Sequence, residues 1–242
     1  MGRAATLLAF LAALVVYDVV ASRLPDLPLW WDVALLAFVL IPAMFLLVLL
    51  ALPLRTAPQP QKLAYAVVGL AAAAVVLTVA DLDVAANFVK FAAVIVAGWW
   101  FLEFFENVNW VLLVALLIVP VDIFSVARGP TKQIVEHQPQ IFGALSIAFP
   151  IPGEHSSAQL GLPDCLFFAL FLAATERFQL RTTWTWVAMT LSFGATLAAA
   201  VWWNTAGLPA LPLLSIALIL VNADRLWRAR RVGLGAGPRP PG

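Results

Sequence analysis

Two aspartates stand in stretches that otherwise suit only lipid. Asp122 lies in VLLVALLIVPVDIFSV (111–126) and Asp164 in LGLPDCLFFALFLAA (160–174). An ionised carboxylate at membrane depth costs at least about 2.5 kcal/mol, so one kept there calls for a partner or a task. Asp122 comes about five residues before its apolar run ends, and Asp164 falls within about the first turn of the next. Antiparallel helices would then hold the two carboxyls within roughly 5–8 Å in depth. Two carboxyls a few Å apart cannot both ionise easily, and such a pair holds a single proton. One group can take a proton from water while the other donates a hydrogen bond to a carbonyl, which is the chemistry of peptide hydrolysis. Each aspartate also fits a merely hydrated place near an interface. Spacing alone leaves both readings open.

The elements that must position the pair are membrane helices. The chain has 242 residues, 63% hydrophobic and 11% charged, with a mean hydropathy of +0.97. A soluble domain is nearer half apolar and a quarter charged, so the composition is that of a polytopic membrane protein. Taking roughly 20 apolar residues per crossing, polar and proline-rich breaks give spans at 5–22, 32–53, 63–81, 84–102, 109–127, 162–180, 183–203 and 208–227. Eight is the expected count, with seven or nine allowed by the weak break at LDVAANFVK (82–90). Lys90, inside the fourth span, reads as a snorkelling residue. The first segment is too long for a signal-peptide core and lacks a small-residue cleavage site, so it counts as a span. Trp30-Trp31, Trp99-Trp100 and Trp202-Trp203 fall at span ends, where aromatic belts belong.

Positive charge orients the bundle. RLWRARR (225–231) marks the C-terminus as cytoplasmic, and with eight spans Arg3, Arg55, Lys62, Arg177 and Arg181 share that side. Only Arg23, Arg128 and Lys132 fall outside. Residues 1–232 then form a single transmembrane domain, and 233–242 have the composition of a disordered tail. The abundance of alanine and the excess of arginine over lysine fit a prokaryotic cell membrane. A net charge of +1 gives no case for nucleic acid. Cys165 is the sole cysteine, so no intrachain disulfide forms, and its apolar run suits a buried thiol. The long outer connection, 128–160, carries His137, His155, Glu136 and Glu154 without metal-ligand spacing. Asp18, Asp81 and Asp83 read as hydrated interfacial residues.

Three motifs in order distinguish Asp122 and Asp164 from those others. VDIFSVARGPTKQIVE (121–136) holds Asp122, Gly129-Pro130, Lys132 and Val135-Glu136; LGLPD (160–164) ends on Asp164; GLPALP (207–212) contains Pro209-Ala210-Leu211. A lone Pro-Ala-Leu means little among 17 prolines, but the three together are specific. Over roughly residues 95–220 the chain resembles the presenilin and signal peptide peptidase family of intramembrane aspartyl proteases. The resemblance matches that family's first catalytic aspartate, its Gly-x-Gly-Asp motif and its Pro-Ala-Leu motif. Two positions depart from the pattern: Val121 replaces a tyrosine, and Pro163 replaces the second glycine. Tyr17-Asp18 has the family's dipeptide but no Gly-Pro-x-basic stretch after it.

The resemblance implies an all-α, presenilin-like polytopic fold and an endopeptidase acting on transmembrane segments of other proteins within the lipid bilayer. Asp122 and Asp164 would be catalytic. Gly161, Leu162 and Pro163 would shape the approach to the second aspartate, and Pro209, Ala210 and Leu211 would meet substrate backbone. Residues 141–152 are a candidate for a strand beside them. No metal or organic cofactor is implied, and the oligomeric state is left open. Two other classes compete: a proton-coupled transporter, since paired carboxylates relay protons, and an inactive relative that binds spans without cutting. No internal repeat of the kind transporters carry is visible, which weighs against the former. The topology makes one prediction. With Cys165→Ser as background, a cysteine replacing Ser156 should react with an impermeant thiol reagent on intact cells. Labelling only after lysis inverts the orientation.

Overall fold

The computed structural model describes residues 3–55, 59–128, 139–205 and 207–235. Six helices in it are long and apolar enough to cross a membrane: Ala4–Arg23, Leu29–Leu54, Pro60–Val79, Asp83–Leu102, Val108–Ala127 and Thr182–Trp202. They coincide with six of the eight expected spans. The chain is a helical integral membrane protein. The other two expected spans are helical as well, Leu162–Arg177 and Leu211–Gly235. Sixteen residues rise only about 24 Å, short of a ~30 Å hydrocarbon core, and the last helix turns strongly basic in its second half. Six helices therefore have the length and composition of a crossing.

The first span is α1 (Arg3–Val20) followed by a 3-10 turn (Ala21–Arg23). The second is interrupted: α2 (Leu29–Leu35) passes through a π-helical segment (Leu36–Leu40) into α3 (Ile41–Ala51). Pro42, in the first turn of α3, has no N–H and would clash with the carbonyl four residues back. A wider turn just before it relieves both problems. Then come α4 (Pro60–Val79), α5 (Asp83–Leu102) and α6 (Val108–Ala127). Asp81 takes a left-handed φ of 56° in the tight turn between α4 and α5, a conformation aspartate tolerates better than most side chains. Asn107 caps α6 by accepting from Asn109 N–H at 3.0 Å.

The expected outer connection is more ordered than a loop. Residues 139–161 build a short helix, α7 (Pro139–Ala144), and an antiparallel hairpin of β1 (Ser146–Pro150) and β2 (Ser157–Gly161). The strand expected within 141–152 is β1. Its partner β2, read in the sequence as the loop's end, runs directly into α8 (Leu162–Arg177). Then follow α9 (Thr182–Trp202) and α10 (Leu211–Gly235). α10 is described through Gly235, and residues 236–242, the rest of the expected tail, lie outside the described residues. So do Gly129, Pro130, Lys132, Val135, Glu136 and His137.

α8 is the axis of the bundle. Phe168 through Ala174 are all 0% exposed, which explains why this helix is apolar all round. It packs on α5, α6, α9 and α10. Phe168 meets Phe45 of α3 at 4.0 Å between ring centroids, and Phe45 also stacks on Phe193 of α9 at 5.0 Å. Cys165 is buried here as a free thiol. Trp99, expected in an interfacial belt, is buried in this core instead. Trp30 and Trp202 are exposed and bring their rings within 5.9 Å, a pairing that suits one membrane surface.

α5 and α8 approach each other very closely at Gly98. A Cβ there would stand 2.6 Å from the Leu166 carbonyl oxygen and 3.0 Å from Leu170 N. Both are backbone atoms and cannot swing aside. Gly98→Val should therefore force the helices apart and cost about 1–3 kcal/mol, as overpacking of a filled core does. A detergent-solubilised variant with the parent's thermal midpoint would refute the tight crossing.

Candidate functional site

Asp122 sits one turn from the end of α6. Pro120 lies inside that helix, two residues before it, and leaves the Leu116 carbonyl without its usual N–H partner. The carboxyl is half-buried, and its Oδ2 accepts a hydrogen bond from the Leu211 backbone N–H at 3.1 Å. Leu211 is the first residue of α10, so this amide belongs to the set that a helix cannot satisfy internally. A carboxylate from a neighbouring helix fills that role and complements the positive end of the α10 dipole. Asp122 thus clamps the Pro-Ala-Leu segment against α6.

Asp164 is the third residue of α8, in its first turn. Gly161 ends β2 in an extended conformation (φ −59°, ψ 141°), and Leu162 and Pro163 begin the helix. Pro163 costs nothing there because first-turn amides have no intrahelical partner. Asp164 Oδ2 folds back over Gly161, 3.1 Å from where a Cβ would stand, so a side chain at 161 would press on the carboxyl. Leu162 N–H donates to Leu145 O at 3.0 Å, extending the hairpin ladder to the first residue of the helix.

The structure brings these pieces together. α6 and α8 are in contact, and the Asp122 and Asp164 carboxyls are close enough to interact electrostatically. Gly161, Leu162 and Pro163 flank one carboxyl, and Leu211 bonds the other. Ala210 and Leu211 are buried, Pro209 is half-buried, and residues 207–210 are non-helical. Val121 is exposed, so no aromatic ring covers the dyad from the preceding position.

Several polar residues carry roles that sequence reasoning missed. Lys90 does not snorkel. Its Nζ donates to Gly143 O at 3.1 Å and Ser146 O at 3.0 Å, beneath the hairpin. One turn earlier, buried Asn87 exchanges two hydrogen bonds with Ala148. Polar residues at i and i+3 in an apolar helix were the available signal. Asp32 is also buried, near Asp26 and Glu154, and its Oδ1 has no hydrogen-bond partner. Asp18 is half-buried rather than fully hydrated; with Tyr17, Met44 and Phe149 it lines a small, partly open cavity of about 20 Å³. Neither Asp122 nor Asp164 borders that cavity. His155 and Glu154 are exposed, and among the described residues no three acidic, histidine or cysteine side chains are grouped to hold a metal.

At the opposite end of the bundle, buried Arg55 pairs with Glu103 at 2.6 Å, and Arg177 lies 3.6 Å from the same carboxylate. Arg181 bonds Asp224 through both carboxylate oxygens, at 2.5 and 2.9 Å. These arginines, expected on one membrane face, gather at one end.

Compared with known proteins, the chain has no significant match to a family model, a curated protein or a solved structure.

The Asp122–Leu211 link is directly measurable. Asp122→Ala should speed amide exchange in residues 207–214 by about two- to tenfold, the equivalent of one net hydrogen bond. Exchange in α8 should stay at the parent rate. No change at 207–214 would show that the carboxyl does not hold α10.

Proposed function

We propose that this chain is an intramembrane aspartyl endopeptidase of the presenilin and signal peptide peptidase type. The observation that carries the reading is that two carboxyls from separate helices lie within electrostatic reach of each other, beside backbone that is not helical. A helical substrate span shields its peptide bonds, so it must unwind before water can reach them. Residues 207–210 and the outer edge of β2 offer main-chain groups that an extended segment can pair with. Non-helical backbone at membrane depth is tolerated where it lines a protein cavity, and a site for an unwound substrate is such a place.

In this reading one carboxylate of the Asp122/Asp164 pair takes a proton from the attacking water. The other, protonated, donates a hydrogen bond to the scissile carbonyl. The pair then delivers a proton to the leaving amine. Two carboxyls suffice, and the reaction needs no cofactor. α8 and α10 complete eight crossings, the hairpin faces outward, and the C-terminus is cytoplasmic in a prokaryotic cell membrane. Substrates are single spans whose N-terminus is cytoplasmic.

Purified protein should cut a single-span reporter within or near its membrane segment, and an aspartyl transition-state analogue should block the cut. Asp122→Ala and Asp164→Ala should each abolish it, because neither carboxyl alone can both activate water and polarise the carbonyl. Full cleavage by either variant would end the dyad assignment.

A further inference from the structure

The β-hairpin has two edges, and they are treated differently. In the ladder Ile147 pairs with Leu160 and Phe149 with Ala158, while Leu162 N–H bonds Leu145 O. The alternate residues Ser146, Ala148 and Pro150 therefore turn their main-chain groups away from β2. Each of the three is met by a side chain. Asn87 Nδ2 donates to Ala148 O at 2.9 Å, and Ala148 N–H donates to Asn87 Oδ1, also at 2.9 Å. Lys90 Nζ donates to Ser146 O, and Tyr17 OH donates to Pro150 O at 3.1 Å. Pro150 has no N–H to leave open. Asn87 copies the donor–acceptor pair of a neighbouring strand, and it is buried in doing so.

On β2 the corresponding outward residues are Ser157, Gln159 and Gly161. The sheet has two strands, and among the described residues no other strand pairs with that edge; only the Gly161 N–H is met, by the Asp164 carboxyl. An unpaired edge is a template for another strand. This edge leads in three residues from Gly161 to Asp164.

We propose that Asn87, Lys90 and Tyr17 are positioning residues: they cap the β1 edge, so that an extended substrate adds only to β2 and meets the dyad in one register. The inference rests on the endopeptidase reading and deepens it, assigning cleavage-site fidelity to α5 and α1. Opening the β1 edge gives a substrate strand a second seat, one strand further from Asp164, where it binds without being cut. It also frees the hairpin to shift against α5. Strand registers that keep the hydrogen-bond pattern differ by two residues, so errors in cutting should appear at that interval.

The test compares the full-length parent with Asn87→Leu, Lys90→Met, Lys90→Arg and Tyr17→Phe, using a single-span peptide as probe. Two readouts run in parallel: amide exchange over residues 146–150 without substrate, and kcat, KM and product masses with it. Asn87→Leu removes two hydrogen bonds, so exchange at Ala148 should rise about ten- to hundredfold. The same variant should lose about tenfold in kcat with KM within about twofold, and release extra products displaced by two residues. Lys90→Met and Tyr17→Phe should follow in weaker form, and Lys90→Arg should restore parental behaviour because it keeps a donor in reach. Unchanged exchange in Asn87→Leu overturns the edge cap whatever cleavage does. Raised exchange with parental kcat and a single product overturns the positioning role. A parent that cuts nothing sinks the endopeptidase reading and the positioning role with it, while the exchange data still decide the cap. Should Asn87→Leu fail to fold, Tyr17→Phe, which loses one hydroxyl, carries the same comparison.

Discussion

The crossing of α5 and α8 at Gly98 is the constraint on which the rest of the structure depends. Two helix backbones meet there with no room for even a methyl group. In lipid the hydrophobic effect does not drive helices together, so close packing and hydrogen bonds must. The crossing fixes α8 in the centre, where its whole circumference is covered. It also fixes what α8 begins with, the turn that carries Asp164. From the same helix that supplies Gly98, Asn87 and Lys90 reach the hairpin that enters α8. One helix thus controls both the body of α8 and its start.

Every polar group drawn into this bundle is there with a partner of known geometry, or it is conspicuous for lacking one. Arg55 and Glu103 neutralise each other, and Asn222, fully buried, bonds Thr185 and the Arg181 backbone. Asp122 bonds a helix-terminal amide. Burial without such pairing costs several kcal/mol, which is why these contacts decide where the helices can sit. Asp164 differs in kind. It stands within electrostatic reach of another carboxyl, an arrangement that opposes stability.

The positions of the helices were legible because apolar length is a strong, local signal, and all eight expected segments are helical. The two aspartates stood out for the same reason: a carboxylate in an apolar run is conspicuous. What the sequence concealed was long-range. β2 reads as polar loop because its partner lies across a turn and its shelter comes from α8. Lys90 has the composition of a snorkelling residue, and only the hairpin's position shows that its ammonium points inward. Trp99 sits at a span end like its belt-forming counterparts, yet the tight α5–α8 crossing draws it inside. The count of crossings stayed open for a simple reason. α8 is short because a strand occupies the chain where another helical turn would be, and α10 runs past its apolar part into arginines.

The hydrogen bonds that join distant parts of the chain set an order on its assembly. Tyr17 waits for Pro150, 133 residues later, and the Phe45 carbonyl waits for the Trp186 indole, 141 residues later. During synthesis the first three spans enter the bilayer before either partner exists. α1 in particular has little buried surface of its own, with only 6% of its apolar window covered in the finished bundle. These two contacts can form only once the C-terminal half has been made, so the early helices enter the bilayer without them. A ribosome stalled before residue 150 would leave an inserted chain with neither a hairpin nor an α8 to gather around, exposed to whatever membrane quality control patrols for unpaired helices.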